Sequence, residues 1–110
     1  MAKYALFFSY TPEAWAGMIK NPGDRSAAAR QVAEAVGGTL ESFYWMFGDY
    51  DGFAIVDGPD AISAGAVSIA VASTGAMSKA TTTQLFGADD QAALVERAKT
   101  ALSAYAPPVG

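Results

Sequence analysis

Between Glu41 and Val56 lies the pattern that most restricts the fold of this chain. Glu41-Ser42-Phe43-Tyr44-Trp45-Met46-Phe47 is followed by Gly48-Asp49-Tyr50-Asp51-Gly52 and then by Phe53-Ala54-Ile55-Val56. Aromatic and β-branched residues suit a pleated surface, whereas Gly and Asp accept tight-turn geometry. The stretch therefore predicts two strands joined by a turn, with Gly48 or Gly52 at positive φ. Alternate side chains of a strand point to opposite faces, so Phe43, Trp45 and Phe47 share one face and Leu40, Tyr44 and Met46 the other. Only one of these faces can meet helices. The Trp45 face is assigned to a partner chain, with Trp45 mostly buried.

The remaining chain supplies elements on either side. Lys3 to Tyr10 is apolar on both parities, Tyr4, Leu6, Phe8 and Tyr10 against Lys3, Ala5, Phe7 and Ser9, which predicts a strand covered on both faces. Thr11-Pro12-Glu13 is a helix start: a hydroxyl cap, proline at the first helical position and an acid in the first turn. Asn21-Pro22-Gly23 interrupts that helix, because Pro22 lacks an amide hydrogen. Asp24 then caps a second segment with Ala29, Val32, Ala33 and Val36 at helical spacing, ended by Gly37-Gly38. Strands are expected at Thr39–Phe47 and Phe53–Asp57.

Gly58-Pro59-Asp60 opens a further helix. Ile62, Ala66 and Ile69 form one stripe, and Val67 and Val71 a neighbouring one. A helix this apolar is expected to be buried on more than one side. Gly75 closes it, and the threonine-rich Ala76–Phe86 favours a strand. Asp89-Asp90 is the expected cap of a last helix, with Leu94, Ala98, Ala101 and Leu102 inside and Glu96, Arg97 and Lys99 outside. The order predicts an α+β, ferredoxin-like βαββαβ unit with a C-terminal helix. Residues 1–105 form one domain in this reading and 106–110 a flexible tail. Helices cover one face of such a sheet. The other still carries aromatics, which predicts a symmetric dimer with two sheets face to face.

Composition narrows the chemistry. Histidine and cysteine are both absent, removing the commonest general base, the thiol nucleophile and the usual metal ligands. No metal site and no cofactor are expected. The net charge is −4 and the seven basic residues are scattered, so nucleic acid is an improbable partner. The short apolar run after Lys3 is not a signal peptide, and no stretch has the length to cross a bilayer. The expected location is the cytoplasm, without membrane contact.

Gly48-Asp49-Tyr50-Asp51 resembles the Gly-Tyr-Asp signature of the GYD-domain proteins, with one residue between Gly and Tyr. The resemblance extends to Tyr10-Thr11, Lys20, the Pro22–Arg25 segment, Gly37-Gly38, Pro59-Asp60 and the turn at Gly75, and covers roughly the first 85 residues. It implies the dimeric α+β barrel superfamily, and thus a dimeric α/β barrel. Related barrels include quinone-forming monooxygenases, haem-degrading enzymes and chlorite-dismutase-like proteins. This chain lacks the histidine that haem-dependent members use as iron ligand.

Asp51 and Tyr50 are the candidates for acid/base chemistry, set against ordinary turn chemistry in which Asp accepts backbone hydrogen bonds. Asp49 is read as a turn residue. Asp49-Tyr50-Asp51-Gly52 begins like a calcium loop, but the later acidic positions are missing. Tyr44, Trp45, Tyr50 and Lys79 are the candidate ligand-binding residues. Phe43, Trp45 and Phe47 line either an aromatic-binding cavity or, the favoured alternative, a dimer core. Lys20 and Arg25 are read as surface residues. Two functions follow. One is a homo-oligomeric module that binds a small apolar or aromatic molecule or serves assembly. The other is a cofactor-independent oxygenase or isomerase acting on an aromatic or quinone-like substrate, which requires a cavity reaching Tyr44, Trp45, Tyr50 and Asp51.

Overall fold

The structure, a computed structural model, describes residues 2–109. Strand β1 (Ala2–Tyr10) leads into helices α1 (Pro12–Lys20) and α2 (Arg25–Ala35), then β2 (Thr39–Trp45) and β3 (Gly52–Gly58). Helix α3 (Ala61–Ala72) precedes β4 (Met77–Leu85), a short 3₁₀ turn (Ala88–Asp90) and α4 (Gln91–Ala104). The strands form one antiparallel sheet in the order β2-β3-β1-β4. The order is compatible with the ferredoxin-like arrangement, in which each helical crossover returns the chain past an intervening strand.

Local chemistry sets the boundaries. The Thr11 hydroxyl accepts from the Ala14 N–H and Pro12 occupies the first turn of α1. Asp24 caps α2 by accepting from the Ser26 and Ala27 amides, and Asp60 caps α3 by accepting from Ser63. Both carboxyls are held below their usual range. For Asp24 the chief cause is the Ser26 hydroxyl, and for Asp60 the Ser63 amide. Asp90 does not cap α4 with its side chain; its carboxylate instead accepts from the Gly87 amide at the 3₁₀ turn.

The even residues of β1 face the helices. Tyr4, Phe8 and Tyr10 are buried there beside Ala33 of α2, Ala54 of β3 and Ala64 of α3. Register places Phe43 of β2 opposite Ala54, on this same covered face. The Phe43–Trp45 face therefore meets the helices, contrary to its assignment to a partner. The helices reach it because Trp15 of α1 packs on Trp45, with ring centroids 5.6 Å apart. In the single chain Trp45 is 43% exposed. Phe47 lies beyond the end of β2 and stands 80% exposed.

Three further expectations fail. Neither Gly48 nor Gly52 has positive φ; among the described residues that conformation belongs to Gly23, Gly37 and Gly75. Gly52 is needed for space instead, since a Cβ there would lie 2.8 Å from the Phe8 ring and 2.9 Å from the Tyr44 carbonyl. Helix α3 buries one side only, and the Ile62/Ile69 stripe points outward. Helix α4 buries no side chain, leaving Leu94 and Leu102 exposed; packing that would turn them inward is absent among the described residues, where α4 touches chiefly its own 3₁₀ turn. The chain is correspondingly extended, with a radius of gyration of 17.6 Å against about 13 Å for a compact domain of this length.

Candidate functional site

The sheet brings the candidate residues to two different places. On the covered face Phe8, Tyr10, Trp15, Phe43 and Trp45 form one aromatic cluster with centroid separations of 5.4–6.4 Å. Asp51 ties this cluster down. One carboxylate oxygen accepts from the Tyr10 amide at 2.9 Å and from the Trp15 indole N–H at 3.0 Å. Its own amide donates to the Phe8 carbonyl, and its carbonyl accepts from the Met46 amide. Asp51 thereby joins the turn to β1, to α1 and to the end of β2. Hydrogen bonds from N–H donors to a carboxylate are among the stronger ones in a protein. Asp49 is exposed at the turn, and Lys20 and Arg25 are exposed on the surface around Pro22.

Behind the cluster, between the sheet and helices α2 and α3, lies a cavity of about 150 Å³. Leu6, Phe8 and Phe43 line it from the sheet, Val32 from α2, and Val67 and Val71 from α3. Phe43 alone of the Phe43, Trp45 and Phe47 set reaches it. Tyr44, Trp45, Tyr50, Asp51 and Lys79 do not line it; Trp45 borders a separate open groove with Trp15, Met18 and Phe47. The cavity's sequence signal was the alanine content of α2 and α3: Ala28, Ala29, Ala33 and Ala64 face the cavity and are too small to fill it.

On the uncovered face Tyr44, Phe53, Phe7 and Tyr50 form a ladder across the sheet. Tyr44 stacks on Phe53 at 5.4 Å, Phe53 on Phe7 at 5.4 Å, and Phe7 meets Tyr50 at 5.6 Å. Register dictates this line, because Tyr44 and Phe7 both pair with Phe53 and Phe7 also pairs with Thr81 of β4. The Tyr50 hydroxyl shares a 2.6 Å hydrogen bond with Thr81, and the Lys79 ammonium lies 4.4 Å from the centre of the Tyr50 ring. Desolvation would strengthen that cation–π contact. Lys3 pairs with Glu41 and, at 3.2 Å, with Asp57 towards the other end of the face. These acids, Glu41 foremost, raise the Lys3 pKa above its usual value. Three of the candidate ligand-binding residues, Tyr44, Tyr50 and Lys79, thus come together here. Trp45 and Asp51 belong to the other side. Phe7 and Phe53 complete the ladder, and strand parity was the signal that could have found them.

Sequence comparison agrees with the turn. The GYD domain family model matches residues 4–95. The chain belongs to the GYD-domain family. The match runs from Tyr4 in β1 through all four strands of this GYD domain and into the start of α4, further than the motifs alone suggested. No curated protein matches the chain significantly. Among the described residues of the GYD domain, no group of three or more carboxylate, histidine or cysteine side chains is placed to hold a metal. No helix among them is long and apolar enough to cross a membrane.

Proposed function

We propose that this GYD domain is a homodimeric binding module: two copies close over their uncovered sheet faces, and each holds a small apolar or aromatic molecule. The observation that carries the proposal is the Tyr44–Phe53–Phe7–Tyr50 ladder on a face with no helix over it. Contiguous apolar patches of this kind mark interfaces. The surface supports a second copy as the cover. At 7457 Å² it exceeds by roughly 1,700 Å² the area of a compact monomer of 11.4 kDa. A stable dimer buries about 800 Å² or more per partner. Sheet-on-sheet closure is the geometry of the dimeric α/β barrel.

The ligand class follows from the cavity. Its lining is overwhelmingly apolar, and Ser68 and Thr82 at its wall already bond to one another. An apolar cavity of this size accommodates a benzene-sized guest. An oxygenase or isomerase acting through Tyr44, Trp45, Tyr50 and Asp51 finds less support, since none of them lines the cavity and Asp51 is engaged by Tyr10 and Trp15.

Sedimentation equilibrium and a thermal-shift titration with toluene test both halves. The wild type is expected to be dimeric at micromolar concentration, Phe53→Glu monomeric and folded, and toluene to raise the melting temperature of the wild type but not of Val67→Phe, which fills the cavity. A monomeric wild type would sink the interface. Equal toluene response in both proteins would sink the cavity as the ligand site.

A further inference from the structure

Two apolar helical stripes remain uncovered outside the aromatic ladder. Ile62, Ala66 and Ile69 point outward from α3, and Leu94, Ala98 and Leu102 lie along α4. Ile62 is 85% exposed and Leu102 is 72% exposed. Residues spaced three or four apart share one helical face, so each stripe is continuous. Each has the same profile, two large branched side chains flanking an alanine. Ridges of large residues on one helix pack into grooves of another, and a small residue at the crossing lets the axes approach to about 8–10 Å. The stripes are alike in profile, yet α3 and α4 do not pack extensively together in one chain: among the described residues α4 contacts chiefly the 3₁₀ turn from which it emerges.

We propose that α4 is an exchanged arm, its Leu94-Ala98-Leu102 stripe packed on the Ile62-Ala66-Ile69 stripe of α3 in a second copy of this chain. Three observations select a second copy over other occupants. The arm buries no side chain against its own chain, and the whole chain, arm included, is elongated at 59 × 32 × 22 Å. The stripe that fits it is carried by the same sequence, so any copy supplies both donor and acceptor, as a closed two-fold exchange requires. The surface excess of roughly 1,700 Å² per chain is about twice what a standard interface needs from each partner, leaving area for the arm beyond the sheet face. The family match takes in the first turn of α4 and ends at residue 95, so most of the arm lies outside the matched residues. The proposal rests on the self-association proposed above but adds a separate contact.

The chain has no cysteine, so introduced thiols report without interference. The full-length single variants Ala66→Cys and Ala98→Cys, both at exposed positions, are mixed and treated with a short bis-maleimide. The expected product is a covalent dimer joining an Ala66→Cys chain to an Ala98→Cys chain, formed faster than either variant couples to itself. The double variant Ala66→Cys/Ala98→Cys, as an isotopically mixed sample, is expected to give peptide pairs joining heavy to light chains. Cross-links confined to single chains would mean that α4 folds back on its own α3, and would overturn the proposal. So would a dimer that sediments as wild type and dissociates in Phe53→Glu, yet yields no mixed cross-link; that outcome would leave the sheet-face interface standing. Leu102→Glu is expected to weaken dimerisation about tenfold or more, with helical content unchanged. Unchanged dimerisation in that variant would also overturn the arm.

Discussion

The two faces of the sheet are built from alternate residues of the same strands, and both are aromatic. They differ in what holds them. On the covered face Phe8, Tyr10 and Phe43 are backed by three helices, and Asp51 fixes Trp15 of α1 to the end of β1 by hydrogen bonds. On the open face Tyr44, Phe53, Phe7 and Tyr50 stack on one another, with only Lys79 and Thr81 of β4 beside Tyr50 and with Tyr44 58% exposed. One face is packed against helices of its own chain; the other has no helix over it among the described residues, and the proposed dimer would supply its cover. Aromatic content alone therefore does not distinguish core from interface. What decides is whether a covering element is tied to the face by polar contacts of its own.

The sharpest way to test that contrast is to truncate one aromatic on each face. Phe8→Ala is expected to cost about 3–5 kcal/mol in urea unfolding, independent of protein concentration. Phe53→Ala is expected to act mainly through association, so that its melting temperature falls on dilution more steeply than that of the wild type. Equal, concentration-independent losses would erase the distinction between the faces.

A smaller effect tests the closeness of the covered face. Gly52→Val is expected to lose about 1–3 kcal/mol by forcing the Phe8 ring and the Tyr44 backbone apart. Gly48→Val, with open space around it, should stay within about 0.5 kcal/mol of wild type. A Gly48 variant as damaged as the Gly52 variant would return the explanation to turn geometry.

Removing the polar tie sharpens the comparison further. Asp51→Ala leaves the Tyr10 amide and Trp15 indole without their acceptor, an expected loss of about 1–3 kcal/mol. The Trp15 indole proton should shift in the NMR spectrum while the dimer persists. A folded monomer would mean that Asp51 also serves the open face.

The smallest expected effect is acidic. Asp60 has a folded-state pKa depressed below its unfolded value near 3.8, chiefly by the Ser63 amide. Its contribution to stability is fully present above that unfolded value and is lost as pH falls through the depressed one. Asparagine keeps the cap without titrating. Thermal unfolding of Asp60→Asn should therefore change less than that of the wild type on acidification below about pH 4, and a steeper acid limit in the variant would contradict the assignment.

Much of this was legible in the residues. Caps at Thr11, Asp24 and Asp60, the break at Pro22, alternation in the strands and the Gly-Asp-Tyr-Asp turn are local features, and local propensity specified the elements and their order. The family assignment rests on the same local signals spread over residues 4–95. Parity also separated Tyr44 from Trp45 correctly. It could not say which of the two met the helices, because period-two alternation is symmetric between faces. That was decided by Trp15 of α1 reaching Trp45 and donating its indole N–H to Asp51. The Gly52 requirement was likewise hidden, since it comes from the Phe8 ring arriving from a distant strand and not from φ. The cavity depends on how far α2 and α3 stand from the sheet, and the outward stripes of α3 and α4 on which neighbours fail to reach them. Periodicity marks a face as apolar, but only the three-dimensional arrangement determines what covers it.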